Sequence, residues 1–118
     1  MPDTATRDLL DYIHASPSPF HCVAESARRL KDAGFTEQDE QAAPDSLSPG
    51  DTRFICRGGS LLAYRVGKTS PAASGFTILG AHTDSPNLRI KPRPNVTANG
   101  YRQWGVEPYG GVLLATWL

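Results

Sequence analysis

The segment Ile78-Leu79-Gly80-Ala81-His82-Thr83-Asp84-Ser85-Pro86 runs out of an apolar stretch into an imidazole and a carboxylate two residues apart. In an extended chain residues i and i+2 project from the same face, so His82 and Asp84 are expected to point together. A neutral imidazole is a good zinc ligand, and a neighbouring carboxylate can bind metal itself, orient the histidine or raise its basicity. Taken alone, H-x-D is a weak signal, because an ordinary histidine at a strand end makes the same pair with a neighbouring carboxylate or with backbone. A catalytic zinc site also uses three protein ligands plus water. His14 and His21 do not supply the deficit: each lies in or beside a helix whose apolar stripe already accounts for it. The ligand count therefore fails within this chain, and the reading of His82 as an ordinary strand-end histidine stays open beside that of a partial site.

Two rival chemistries are weaker. Cys22 in the first turn of a helix could act as a nucleophile with a lowered pKa. Its neighbour His21 is badly placed as a base, since consecutive helical residues do not face each other. Cys56 falls in an expected strand and reads as a small buried apolar residue. Gly58-Gly59 and Gly110-Gly111 lack the Lys-Ser/Thr that follows a phosphate loop and do not open a helix as G-x-G-x-x-G, so both read as turns.

The elements that must position His82 and Asp84 are expected as follows. Asp3 or Thr4 caps a first helix with Ala5, Leu9, Tyr12 and Ile13 at helical spacing, and Ser16-Pro17-Ser18-Pro19 stops it. Ser18 then caps a second helix with Pro19 at its first position, Phe20, Val23, Ala24, Ala27 and Leu30 on one stripe, and Gly34 at its C-terminal end. Both helices are expected to face the core. Thr36 to Asp51 is acidic and reads as a surface connection. Arg53 to Arg57 and Leu61 to Val66 flank Gly58-Gly59-Ser60 as a hairpin. Phe76 to Ala81 has the near-continuous apolar character of a strand covered on both faces, which puts His82 and Asp84 at its carboxyl end, where open α/β sheets place ligands. Pro86 biases Ser85 away from helix. Leu88 to Lys91 reads as a short strand before the Lys91-Pro92-Arg93-Pro94 punctuation, where the composition shifts and a domain boundary is placed near Arg93.

The 118 residues are the size of one ordinary domain or a piece of a larger one. Twelve Lys and Arg balance twelve Asp and Glu, which leaves no global field to gather nucleic acid or an anionic membrane. The balance hides an asymmetry: the first 51 residues hold ten acids against four bases, while Ser85 to Leu118 hold four bases against Glu107. The basic end reads as a solvated face or as a rim bordering the H-x-D segment. Two cysteines outside any C-x-x-C arrangement, and no charged-then-apolar leader, fit a reducing cytosolic compartment. No apolar run approaches the roughly 18 residues needed for a membrane-spanning helix. The uncapped apolar run Val112 to Leu118 is unlike a usual terminus and suggests an N-terminal piece of a longer protein.

Four segments carry a resemblance to a known family: HASPSPFH (His14 to His21), ESARRLKDAGF (Glu25 to Phe35), GAHTDSPNLRIKP (Gly80 to Pro92), and NGYRQWGVEPYGG with its trailing ATW (Asn99 to Trp117). Together they resemble the N-terminal part of the M18 family of zinc aminopeptidases, the aspartyl aminopeptidase group. The resemblance implies an α/β fold class: residues 1–92 as the N-terminal part of a zinc-peptidase domain, and residues 93–118 as the start of an inserted, β-rich assembly domain. It implies that His82 is a ligand of a centre of two divalent zinc ions and that Asp84 is the catalytic acid that supports and orients it. It places the bridging aspartate, the general-base glutamate and the other ligands in motifs beyond Leu118. Asn87 departs from the small residue, such as Cys, common at that place in the family. The activity implied is metal-assisted removal of the first residue of peptide substrates, acidic residues by the group's name, in a homo-oligomer. On that reading the piece alone is inactive. The alternative is a non-enzymatic binding or assembly module that retains the peptidase scaffold.

Overall fold

The computed structural model describes residues 3–42 and 46–111; the apolar run Val112 to Leu118 lies outside them. Helix α1, Thr4–Ala15, starts where the Asp3 carboxylate accepts the Thr6 N–H at 2.7 Å. Helix α2, Pro19–Asp32, is capped by Ser18 with Pro19 in its first turn. Its C-terminal end is a Schellman closure: Gly34, at φ +85°, donates to the Lys31 carbonyl, and Phe35 donates to that of Leu30. Only glycine takes that backbone angle without strain, which is why the helix stops there.

Three strands follow in one sheet of order β1-β2-β3: β1 Thr36–Glu37, β2 Thr52–Arg57 and β3 Ser60–Arg65. β1 runs parallel to β2, with Thr36 opposite Arg53 and Glu37 opposite Phe54; β2 and β3 are antiparallel. The expected hairpin is present, and Gly58 at φ +56° opens its two-residue turn. Helix α2 packs against β2 and β3 and buries Val23 and Cys22, with Phe54 of β2 fully enclosed. Helix α2 packed on a mixed sheet, with α1 against α2, gives the expected α/β class.

The α1–α2 contact is largely polar. The Tyr12 hydroxyl lies 3.0 Å from Cys22 Sγ and 2.8 Å from Ser26 Oγ, and Arg29 stacks over the Tyr12 ring at 5.1 Å. Arg29 also reaches Asp8 at 2.8 Å and Glu25 at 2.7 Å, and Glu25 accepts from Arg28 at 2.7 Å. The expectation that both helices face the core holds for α2 on its Val23 side and is corrected for α1, whose Leu9, Leu10 and Ile13 are exposed; Phe20 at the start of α2 is exposed as well. Helical spacing marks a shared face, but burial needs an opposing layer, and the sheet backs only the Val23 side of α2.

The expected strand at Phe76 to Ala81 is also corrected. After a single helical turn, α3 at Pro71–Ser74, residues 75–82 have no regular structure. Phe76, Ile78 and Leu79 are 81%, 84% and 95% exposed. A continuous apolar run states a preference for burial, whereas a strand exists only with hydrogen-bonding neighbours, and none of the described strands pairs with this one.

The chain divides into two compact units between Asp84 and Ser85. The second is a long hairpin, β4 Asn87–Ala98 and β5 Tyr101–Tyr109. Its turn is Asn99-Gly100, both at positive φ (+52° and +81°), the requirement of a tight type I′ connection. Arg93, the expected boundary, lies inside β4. Pro92 and Pro94 do not end the strand because the pairing slips between Ile90 and Asn95, opposite Val106 and Trp104, and this irregularity accommodates residues that lack an N–H. Leu88 pairs with Pro108 and Ile90 with Val106, so one hairpin face is apolar and partly exposed.

Two outcomes test this packing. In the 118-residue chain, Phe54→Ala is expected to lower the unfolding free energy by about 3–5 kcal/mol in urea titration, whereas Leu79→Ser stays within about 0.5 kcal/mol. The Arg28 guanidinium, with Arg29, holds the Glu25 carboxyl at about 2, below its ordinary 4.5. A lowered folded-state value stabilises the fold above the unfolded value and loses that effect as pH falls from about 4.5 through about 2. Glu25→Gln should remove part of the fall in thermal midpoint over that interval and leave the rest of the profile in place.

Candidate functional site

His82, Thr83 and Asp84 form a bend rather than the end of a strand. His82 and Asp84 are still brought together, by a different contact from the shared strand face. His82 Nδ1 lies 2.6 Å from the Asp84 carbonyl oxygen and 3.4 Å from Asp84 Oδ1. A carbonyl oxygen only accepts, so Nδ1 carries the proton and donates it. In the neutral ring the lone pair then belongs to Nε2, on a side chain that is 80% exposed. The imidazole is thereby set in the tautomer that a metal ligand needs, with its second nitrogen held by the protein.

Between the two, the Thr83 hydroxyl donates to the Gly59 carbonyl at 2.7 Å. That acceptor is in the β2–β3 turn, and the contact ties the bend to the sheet. Neither Thr83 nor Gly59 was marked by sequence spacing: the turn was legible in Gly58-Gly59, but its carbonyl's partner lies 24 residues away.

The other candidates lie elsewhere. His14 is in the last turn of α1, where a protonated ring suits the helix dipole. His21 is exposed, with Nδ1 2.7 Å from Ser18 Oγ at the α2 cap. Cys22 lies in the α1–α2 contact with its Sγ against the Tyr12 hydroxyl, and burial pushes the Cys56 thiol up, which disfavours a thiolate there. Among the described residues no group of three or more His, Cys, Asp and Glu side chains is placed to hold a metal ion. The chemistry of His82 and Asp84 fits one corner of such a site.

A family model described as aminopeptidase I zinc metalloprotease (M18) matches residues 12–118. The chain belongs to the M18 aminopeptidase family. A probable M18 family aminopeptidase 2 of Streptomyces avermitilis is 50% identical over 113 residues, covering 96% of this chain and 26% of that protein. The Pseudomonas aeruginosa protein of the same name is 49% identical over 109 residues, 92% of this chain and 25% of its own length. This M18 chain therefore spans about a quarter of the length of these relatives. Among solved structures, it is similar to a chain of the Ape4 and Nbr1 complex (TM-score 0.83, 40% identity, 93% of this chain and 21% of that one). It is also similar to the S. cerevisiae mApe1 dodecamer (TM-score 0.84, 31% identity, 98% and 27%).

The hydrogen bond that fixes the His82 ring can be read directly. At a pH where the ring is neutral, nitrogen-15 correlation spectra should show the Nδ1–H tautomer. A dominant Nε2–H pattern would contradict the Nδ1 donation to Asp84.

Proposed function

We propose that this chain is the N-terminal part of a metallo-aminopeptidase that removes the first residue of peptides, with His82 as one metal ligand and Asp84 as the residue that orients it. The observation that carries the reading is the Nδ1–H donation of His82 to the Asp84 carbonyl, which leaves Nε2 exposed with its lone pair. Membership in a zinc metalloprotease family supports zinc as the metal. Two divalent ions, when bound, would polarise the scissile carbonyl and acidify a water. The part played by this chain is narrower. His82 presents Nε2, and the Asp84 carboxylate beside Nδ1 raises the ring's basicity and resists its rotation.

Acidic first residues are the substrate preference that goes with this reading, by the name of the aspartyl aminopeptidase group. A homo-oligomer is part of the proposal, supported by similarity to a chain solved as a dodecamer, with residues 93–118 as the start of the assembly domain. The free cysteines Cys22 and Cys56 support a reducing, cytoplasmic setting.

The test uses the complete natural reading frame that carries this chain. His82→Ala should lose both zinc and aminopeptidase turnover. Asp84→Ala should bind zinc about 10–100-fold more weakly. The 118-residue piece alone should show no turnover of aminoacyl substrates. Retention of metal and activity by His82→Ala would remove His82 from the site, and a stop codon after Leu118 would favour the non-enzymatic module.

A further inference from the structure

We propose that Thr83 is a positioning residue for His82 and Asp84, acting through the Gly59 carbonyl. The inference rests on the reading of His82 as a ligand and adds to it what holds the ligand in place. His82 is mostly exposed, and the apolar residues before it, up to Leu79, are exposed and outside regular structure. Metal sites tolerate little looseness in their supporting shell, so a contact that ties the bend to the sheet bears on the ligand it carries.

The Thr83 hydroxyl, half-buried between the two site residues, donates to Gly59 at 2.7 Å. Its acceptor is itself confined. Gly58 takes φ +56° to open the turn, and a Cβ on Gly59 would stand 3.2 Å from Cβ of Pro19. Pro19 is in the first turn of α2, whose start is capped by Ser18. The chain of contacts thus runs from a capped helix, through a packed glycine turn, to the residue at the centre of the bend. Threonine suits the task better than serine, since its β-branch restricts χ1 and aims the hydroxyl.

The experiment compares Thr83→Val, which keeps the shape and removes the donor, with Thr83→Ser, which keeps the donor, in the complete natural protein. Zinc affinity is read by competition with a chromogenic chelator, and kcat and KM are measured on aminoacyl nitroanilides. Thr83→Val should weaken zinc about 10-fold and lower kcat with KM nearly unchanged, and Thr83→Ser should restore most of both. If Thr83→Val does not fold, Thr83→Ala, which also removes the donor, takes its place, with the same loss of zinc affinity expected. Wild-type zinc affinity in the folded variant lacking the donor, whatever its thermal midpoint, overturns the positioning role provided that His82→Ala loses zinc. Zinc retained by His82→Ala overturns the ligand reading and this inference with it.

Discussion

The two-residue turn at Gly58-Gly59 is a constraint shared by the core and the candidate site. It joins β2, which carries the fully buried Phe54, to β3, and it packs close enough to Pro19 that a side chain at Gly59 would press on the start of α2. A turn held this way has little freedom to move its carbonyl. Because the Thr83 hydroxyl bonds to that carbonyl, the rigidity of the helix–sheet layer is passed to a bend that lies outside regular structure. The His82 ring is then fixed by its immediate neighbour, through Nδ1 and the Asp84 carbonyl.

Much of this was legible where the determining forces are local. Asp3, the Ser18-Pro19 pair and Gly34 mark helix ends through their own backbone chemistry, and all three act as expected. The glycine hairpin followed for the same reason. Asn99-Gly100 carried an equally local signal for the second hairpin, one that composition and the nearby prolines obscured. β1 had no such signal: two residues become a strand only because β2 lies alongside. The run Phe76 to Ala81 shows the converse, an apolar pattern whose pairing partners are absent from the described strands. At the site, the closeness of His82 and Asp84 was legible from their spacing, while the bend that produces it and the Thr83 anchor depend on distant residues.

The core of the first unit is thin, with Phe54, Val23 and Cys22 at its centre, while apolar side chains on α1, in residues 76–79 and on one face of the β4–β5 hairpin remain in solvent. Each is an apolar face of the kind that a larger fold or a partner covers. That suits a chain spanning about a quarter of its M18 relatives. It also agrees with the ligand count, since a zinc centre draws on three protein ligands and among the described residues no group of three or more His, Cys, Asp and Glu is placed to hold a metal ion.

The most direct measurement is an anomalous-scattering map at the zinc edge from crystals of the complete natural protein. The account predicts a peak about 2.0–2.1 Å from His82 Nε2, with Nδ1 still turned to Asp84. Zinc bound through Nδ1, or a zinc centre with His82 outside its coordination sphere, would contradict it.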